Sequence, residues 1–235
     1  MFFSQGKKKA ELKFWKAELR RYMQWYLGKE PLYGFPFPVS EEKVTGYGLR
    51  IDAAMTWLKL FQEKKYPSDL KLNSDAFVGL KVLDVGCGPF PNLFAFSHCE
   101  RHGLDPLIDL YRKTGYPLDI WQKQGFYYHS SPAEKMTFPE AYFDAIVSVN
   151  AIDHVDNFKR TAEEIRRVLK KGGIIRMHVH YHKRTQTEPL QLNDKVFLNH
   201  YNWVVGLKKI VEDNKKDIGY YTAPSDEKFV VWGNY

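Results

Sequence analysis

The stretch KVLDVGCGPF places a short apolar run directly before two closely spaced glycines, Gly86 and Gly88. This pattern is typical of a buried strand whose backbone turns sharply and leaves room for a ligand, since glycine has no side chain. Farther along the chain, short apolar runs alternate with helical patterns, which predicts a parallel sheet with crossover helices. The sequence therefore predicts an α/β fold with the glycine turn at the carboxyl end of a strand.

The alternation between strand and helix patterns can be followed over most of the chain. The predicted strands are KVLDV, the segment from Cys99 to Leu104, GFYYHS, FDAIVSVN and GIIRMHVHY. Between the last two lies the helical pattern FKRTAEEIRRVLKKGG, which we expect to end in a left-handed turn at Gly172. The segment VFLNHYNWVVGLKKIVEDN is predicted to be helical, and DIGYYT and KFVVWGN are predicted to form a final β-hairpin.

The first third of the chain has a different pattern. Apolar side chains recur at steps of three and four over residues 11–27, which predicts an amphipathic helix. A second helical pattern covers residues 51–58, and the polar segment YPSDLKLNSD follows it. We therefore expect a helical lid over residues 1–75 and a nucleotide-binding core over residues 76–235. Together with the segment HKRTQTEPLQLNDKVFLNHYNW, this extension offers aromatic residues that could form a lid or a stacking wall: Trp15, Trp25, Tyr33, Phe35, Phe37 and Trp203.

The positive charge of the chain is concentrated near its start. Of a formal net charge of +7, much comes from residues 1–30, which contain eight Lys or Arg and three Glu. A solvated helix face is the favoured interpretation, and contact with phosphates or an anionic surface is the alternative. Cys87 and Cys99 do not have the spacing of a zinc site or a disulfide framework. Without a signal-peptide pattern or a long apolar run, we expect a cytoplasmic protein with no membrane span.

The glycine turn is poorly suited to a dinucleotide. Pro89 and Pro91 lack the amide hydrogens that would bind a pyrophosphate, and the third glycine of that fingerprint is absent. A cationic ligand without phosphate, such as S-adenosylmethionine, suits the acceptor groups near Asp84 better. Asp105 follows Asp84 at about the spacing where nucleotide folds place an acid that binds the ribose hydroxyls. A helix-capping role for Asp105, ahead of Pro106, is compatible with this one.

Three segments in order carry a family resemblance: VLDVGCGPF, the acid Asp105, and SSPAEKMTFPEAYFDAIVSVNAIDHVDN. Together with LKKGG they resemble the class I S-adenosylmethionine-dependent methyltransferases of the type 11 group over residues 79–180. The resemblance implies a Rossmann-like, seven-stranded, mostly parallel sheet whose last strand is antiparallel. The usual adenine-binding acid falls on Pro132, which leaves the adenine to the backbone of Ala133 and apolar packing. The implied cofactor-binding residues are Asp84, Gly86, Cys87, Gly88, Asp105, Pro106, Ser131, Ala133, Glu134, Asn150, Ala151 and Ile152.

Methyl transfer to a hydroxyl group needs a base, and histidine is the natural candidate near neutral pH. The candidates are His154, His180 and His182. The last two alternate along a predicted strand and lie toward its carboxyl end, whereas His178 is expected to be buried structure. Their spacing would also suit a metal ion, with Asp153 or His200 as a further ligand. A site without a metal is the expectation.

These observations favour an S-adenosylmethionine-dependent O-methyltransferase that acts on a small-molecule or glycan-like acceptor. Methylation of RNA or protein is an alternative, which the isoelectric point of about 9.1 favours and the lack of an RNA-binding module disfavours. A non-catalytic scaffold that binds S-adenosylmethionine is a third reading. The acceptor atom and the oligomeric state are left open, since one fold serves many acceptors.

Overall fold

The computed structural model describes residues 5–185, 188–213 and 227–234. Their strands form one sheet in the order β3-β2-β1-β4-β5-β7-β6. Neighbouring strands from β3 to β5 pair in parallel, and β7 runs antiparallel to both β5 and β6. This is the expected seven-stranded, mostly parallel α/β sheet. The strands are β1 (Lys81–Val85), β2 (Glu100–Leu104), β3 (Phe126–His129), β4 (Phe143–Val149), β5 (Leu169–Tyr181), β6 (Lys208–Asp213) and β7 (Lys228–Gly233).

Seven α-helices accompany the sheet in the described ranges. They are α1 (Gln5–Tyr26), α2 (Leu49–Trp57), α3 (Glu63–Leu70), α4 (Ile108–Thr114), α5 (Leu118–Lys123), α6 (Phe158–Val168) and α7 (Asp194–Tyr201). A π-helical turn, Leu58–Gln62, joins α2 to α3, and short 3-10 turns cover Ser40–Glu42, Asn92–Ala95 and Ile152–His154. None of the helices in these ranges has the length and apolar character needed to cross a membrane.

The predicted strands β1 to β5 are confirmed, but two helix predictions need correction. Helix α6 ends at Val168 and not at Gly172; Gly172 has a φ of 75° in an irregular part of β5, where the pairing with β4 shifts register. The helix predicted over VFLNHYNWVVGLKKIVEDN ends at Tyr201, and its last part is strand β6, which pairs with β7. Sheet pairing has overridden the local pattern there. The other predicted hairpin strand, DIGYYT, lies outside the described residues.

The polar segment YPSDLKLNSD was expected to separate the extension from the core, but its first half belongs to α3, with Pro67 inside the helix. This segment is helical because its apolar side chains are buried at helical spacing. Tyr66 and Leu70 are 4% and 0% exposed, and they pack with Phe77 against residues of the central strands. A face buried at steps of three and four stabilises a helix even where the composition is polar.

The N-terminal extension shares a hydrophobic core with the nucleotide-binding part of the chain. Trp25 and Trp57 from α1 and α2 belong to the same buried cluster as Phe90, Leu107 and Trp121. Tyr22 stacks on Trp57 with ring centroids 5.1 Å apart. The extension therefore packs against the side of the sheet near the glycine turn, and the division of the chain near residue 75 remains a prediction.

Candidate functional site

The carboxyl end of β1 forms the tight turn expected from the two glycines. Gly86 and Gly88 have φ values of 76° and 60°, which side-chain-bearing residues rarely adopt, and the Gly86 amide donates to the Leu104 carbonyl at 2.8 Å. A Cβ atom at Gly86 would lie 2.3 Å from the Cβ of Ala151, and one at Gly88 would lie 3.1 Å from the Trp15 ring. Glycine is therefore required at Gly86 both by the backbone conformation and by the close approach of Ala151.

Asp105 lies beside this turn, at the end of β2. Its two carboxylate oxygens accept from the Gly88 amide at 3.2 Å and the Leu107 amide at 2.8 Å, so the acid also shapes both loops. Burial raises the pKa of Asp105 to about 6; nearby Glu11 acts in the same direction, while the two amides and Tyr111 oppose it. A buried acid with further lone pairs on both oxygens is suited to accept from hydroxyl groups of a ligand.

Asp84 lies behind the glycine turn and does not contribute to the wall of the cavity described next. It is fully buried, its Oδ1 accepts from the Tyr66 hydroxyl, and no hydrogen bond from the described residues reaches its Oδ2. Burial raises the pKa of Asp84 to about 7, against the effect of hydrogen bonds from Tyr66 and Asn92. Sequence reasoning did not find Tyr66, because it lies in the segment interpreted as a linker.

A cavity of about 590 Å³ opens at the carboxyl ends of β1, β2 and β4. This volume lies within the range of small-molecule sites. Most of the residues predicted from the sequence line it: Gly86, Cys87, Gly88, Asp105, Pro106, Ala133, Glu134, Asn150, Ala151, His154 and His180. Asp84, Ser131, Ile152 and His182 do not, although Asp84 and Ile152 adjoin lining residues in the chain.

In the segment expected to bind the adenine, Glu134 forms hydrogen bonds within the protein. One oxygen of Glu134 accepts from the amides of Asp156 and Asn157 at 2.8 and 3.1 Å, ahead of α6. Pro132 and Ala133 present apolar surface to the cavity, as the departure from the family pattern implies. These contacts leave Glu134 better placed to fix the loop than to bind a ligand through both oxygens.

Residues of helix α1 form part of the cavity wall. The Tyr116 hydroxyl donates to the Trp15 carbonyl at 2.9 Å, which fixes the middle of the helix against the core. Near its start, the buried Lys7 ammonium donates to the His154 carbonyl and pairs with Asp156 at 3.0 Å. Trp15 and Tyr33 line the cavity, whereas Trp25 is 0% exposed in the shared core. The lid role of the extension is a prediction that this position supports.

Three residues of the extension add polar groups that sequence reasoning missed. Gln62, Lys65 and Asp69 line the cavity, and Lys65 forms an ion pair with Asp69. With Tyr66 they are spaced by three or four along the π-turn and α3, so a helical projection of YPSDLKLNSD and the preceding residues would have placed them on one face. The polar composition and the proline concealed this signal.

A cluster of histidines and carboxylates occupies the end of the cavity near β4 and β5. His154 Nδ1 lies 2.9 Å from Glu11 Oε1, and its Nε2 lies 3.7 Å from Asp153 and 3.5 Å from Glu188. Burial alone would lower the pKa of His154, but the three carboxylates outweigh it and raise the pKa to about 10. His154 is therefore held in its charged form, which is unfavourable for a base.

His180 and His182 belong to the same cluster and differ in environment. Burial and the neighbouring His182 lower the pKa of His180, whose Nε2 lies 2.8 Å from Glu227. For His182, the effect of burial is outweighed by Asp153, the Lys183 carbonyl and Glu188, and its pKa is raised. Only His180 combines a lowered pKa with a position on the cavity wall. His178 is buried, as expected, and stacks on Phe229 with centroids 5.2 Å apart.

Of the two further metal ligands considered from the sequence, Asp153 and His200, only Asp153 lies beside His180 and His182. His200 lies on α7 and packs against Phe158, with ring centroids 5.5 Å apart. Asp153, in contrast, is fully buried beside His182, with Oδ2 to Nε2 at 3.3 Å. The structure therefore brings Asp153, but not His200, to the two alternating histidines of β5.

Comparison with known proteins relates this arrangement to a family. The model of the Methyltransf_11 family, described as "Methyltransferase domain", matches residues 83–177. Sterol 24-C-methyltransferase ERG6B of Gibberella zeae is 36% identical over 103 residues, which are 41% of this chain and 26% of that protein. The chain therefore spans about a quarter of the length of the curated relatives it matches first.

Solved structures share the fold at low sequence identity. The YcgJ protein from Bacillus subtilis superposes with a TM-score of 0.56 at 14% identity, covering 73% of this chain and 97% of that one. An S-adenosylmethionine-dependent methyltransferase from Aquifex aeolicus gives 0.51 at 14% identity, covering 77% and 93%. At these identities the likeness shows the fold alone.

Proposed function

The chain carries a class I S-adenosylmethionine-dependent methyltransferase domain, and we propose that it methylates a hydroxyl oxygen of a small-molecule or glycan-like acceptor. The family and the cofactor implied by the sequence motifs are confirmed by the family match. The acceptor is our proposal. The observation that carries it is one cavity with the glycine turn and Asp105 on one side and a histidine–carboxylate cluster on the other.

The residues at the glycine turn fit the cofactor. Gly86 and Gly88 allow a sharp turn whose backbone lines the cavity, and Asp105 offers a carboxylate to ribose hydroxyls. Pro106, Leu107 and the apolar surface around Ala133 suit an adenine ring. When bound, S-adenosylmethionine supplies a methyl group on a sulfonium sulfur, which an acceptor oxygen displaces. The remaining catalytic work is alignment, exclusion of water and removal of the acceptor proton.

Residues of the N-terminal extension give the cavity features that suit a small polar acceptor. Phe14, Trp15 and Tyr33 supply aromatic surface, on which sugars and planar rings pack. Glu18 accepts from the Tyr33 hydroxyl at 2.6 Å and adds a fixed polar edge. Because the cavity has a volume of about 590 Å³ and α1 forms part of its wall, an acceptor must be small or must present a narrow group. This geometry favours small molecules over folded RNA or protein.

The histidine–carboxylate cluster is positioned to activate an acceptor hydroxyl. His154, His180 and Glu188 all line the cavity, and His182 and Asp153 lie directly behind them. A hydroxyl acceptor must lose its proton as the oxygen–carbon bond forms, and general-base catalysis typically contributes about 10² to 10⁴ in rate. Of the three histidines predicted from the sequence, His180 is the candidate base, because it lines the cavity and its pKa is lowered, whereas the pKa values of His154 and His182 are raised.

A transfer assay tests this proposal. The purified chain is incubated with methyl-labelled S-adenosylmethionine and separate panels of hydroxylated small molecules, sugars, total tRNA and protein. We expect label in at least one hydroxylated small molecule, with equimolar S-adenosylhomocysteine. His180→Gln should lower transfer while cofactor affinity is retained, and His200→Gln, outside the cavity, is the matched control. Label in RNA or protein, or cofactor binding without turnover on any panel, would contradict the proposed acceptor class.

A further inference from the structure

Four side chains at the end of the cavity form a compact group of potential metal ligands: Asp153, His180, His182 and Glu188. One ligand atom from each lies within 4.8 Å of all the others. Asp153 follows β4, His180 lies on β5, and His182 and Glu188 follow β5, so the group lies at the carboxyl ends of two adjacent strands. We propose that these residues bind a divalent first-row transition-metal ion.

The strongest observation is the contact between His182 and Asp153. His182 Nδ1 lies 2.6 Å from the Lys183 carbonyl, which can only accept, so Nδ1 carries the hydrogen and donates it. Neutral His182 therefore directs the Nε2 lone pair toward Asp153. Nε2 and Asp153 Oδ2 are 3.3 Å apart, and no hydrogen bond from the described residues reaches Nε2 or either oxygen of Asp153. Two buried acceptors that face each other need either a metal ion between them or a proton on Nε2 of His182.

The separation of these two atoms fits a shared metal ion. Nitrogen and carboxylate ligands lie about 2.1 Å from zinc, so two ligand atoms 3.3 Å apart subtend an angle of about 104° at the ion, close to tetrahedral. Asp153 is 0% exposed and the His182 side chain is 1% exposed, so bulk water does not supply the hydrogen-bond donor that these two acceptor atoms lack. A backbone carbonyl on the far nitrogen of a histidine is also the usual way in which a metal-binding imidazole is oriented.

The other two ligands complete the set from the cavity side. The rings of His180 and His182 have centroids 4.7 Å apart, and Glu188 places a ligand atom within 4.8 Å of those of the other three residues. Thr185 donates to Glu188 Oε2 at 3.0 Å and so limits its movement. Glu227 holds Nε2 of His180 at 2.8 Å, and a carboxylate on one ring nitrogen fixes the orientation of the imidazole. Modest contraction of the group would bring all four residues to one ion.

The ligand types indicate which ion is bound. Two imidazoles with two carboxylates suit Zn²⁺, Mn²⁺, Fe²⁺ or Co²⁺, whereas Ca²⁺ and Mg²⁺ prefer oxygen ligands alone. His180 and Glu188 line the cavity, so the ion would be accessible from the space assigned to the acceptor. In that position it would supply positive charge to an acceptor oxygen, a role that rests on the proposed function. The proposal departs from the metal-free site expected from the sequence.

The competing explanation is a protonated network with no metal. His154, whose Nε2 lies 3.5 Å from Glu188 and 3.7 Å from Asp153, could neutralise the carboxylates as an imidazolium, and so could His182, whose Nε2 lies 3.3 Å from Asp153. The two explanations differ in their response to added metal. Untagged, chelator-treated protein is titrated with Co²⁺ while visible absorption is recorded, and Zn²⁺ binding is measured by equilibrium dialysis. We expect one ion per chain with a Kd below 0.1 mM and Co²⁺ bands of a low-coordination nitrogen–oxygen site.

Variants locate the ion. Glu188→Gln, which changes a partly exposed ligand, and Asp153→Asn should each weaken Zn²⁺ binding at least tenfold, while His200→Gln should leave it unchanged. Circular dichroism checks that each variant is folded, and Glu188→Gln alone decides the question if Asp153→Asn is not. Absence of stoichiometric binding, or equal binding by Glu188→Gln and wild type, would overturn the proposal. Calorimetry with S-adenosylhomocysteine on the same samples separates this failure from failure of the proposed methyl transfer.

Discussion

Substitution of Gly86 by alanine tests the close approach between the glycine turn and the loop after β4. Gly86→Ala should lower the free energy of unfolding for two reasons. An alanine at a φ of 76° loses about 1 to 2 kcal/mol through left-handed backbone strain. The new Cβ would also lie 2.3 Å from Ala151 Cβ, and relief of such overpacking costs about 1 to 3 kcal/mol more.

Gly79 provides a matched control for this substitution. It has the same φ of 76°, but a Cβ there would have no heavy atom within 4 Å. Gly79→Ala should therefore lower the free energy of unfolding by the strain alone, about 1 to 2 kcal/mol. Gly86→Ala should lower it by a further 1 to 3 kcal/mol or so. Urea denaturation measures both changes, and calorimetry should show weaker S-adenosylmethionine binding for Gly86→Ala only.

Ala151→Gly in the Gly86→Ala background removes the contact that causes the second cost. The double variant should recover most of the extra loss, which gives a favourable coupling energy between the two positions of about 1 kcal/mol or more. Equal destabilisation by Gly86→Ala and Gly79→Ala, with no coupling to Ala151, would refute the close approach of the two loops.

Three further predictions concern the buried acids. Asp105→Ala should weaken S-adenosylmethionine binding by about 1 to 3 kcal/mol in calorimetry, while Asp109→Ala, on the exposed face of α4, should not. The pKa of Asp105 is raised to about 6, so its carboxylate takes up a proton as the pH falls. Cofactor affinity should therefore drop about fourfold between pH 7.5 and pH 5.5. A constant affinity would argue against ionised Asp105 as the ribose ligand. Tyr66→Phe removes the donor to buried Asp84 and should lower the free energy of unfolding by about 1 to 3 kcal/mol, whereas the half-exposed Tyr127→Phe should have little effect.

The sequence was sufficient to predict the fold and most of the residues that line the cavity near the glycine turn. Both follow from local signals: apolar runs for β1 to β5, the glycine pair, and an acid one strand later. The alternation of histidines on β5 likewise predicted that His180 and His182 share a face. Asp153 was named beside them as an alternative to His200, and the choice depended on how β4 and β5 pair, whereas Glu188 was not connected with them.

Contacts between distant segments could not be predicted in this way. Glu11 reaches His154 across 143 positions of sequence, and Lys7 reaches the same loop, but periodicity says only that α1 is a helix. The segment containing Tyr66 was assigned to a linker because its composition is polar and includes Pro67. Burial against the sheet, which a single sequence does not display, decides its structure. The same reason explains why β6 was predicted as helix.

The central claim is that the cofactor binds in the cavity that also contains the histidine–carboxylate cluster. A crystal structure of the protein with S-adenosylhomocysteine tests this most directly. We predict that the ligand contacts the turn at Gly86 and Gly88 and the carboxylate of Asp105, beneath α1 and in the same cavity as His180 and Glu188. A ligand bound away from Asp105, or separated from the cluster by the body of the sheet, would contradict the account.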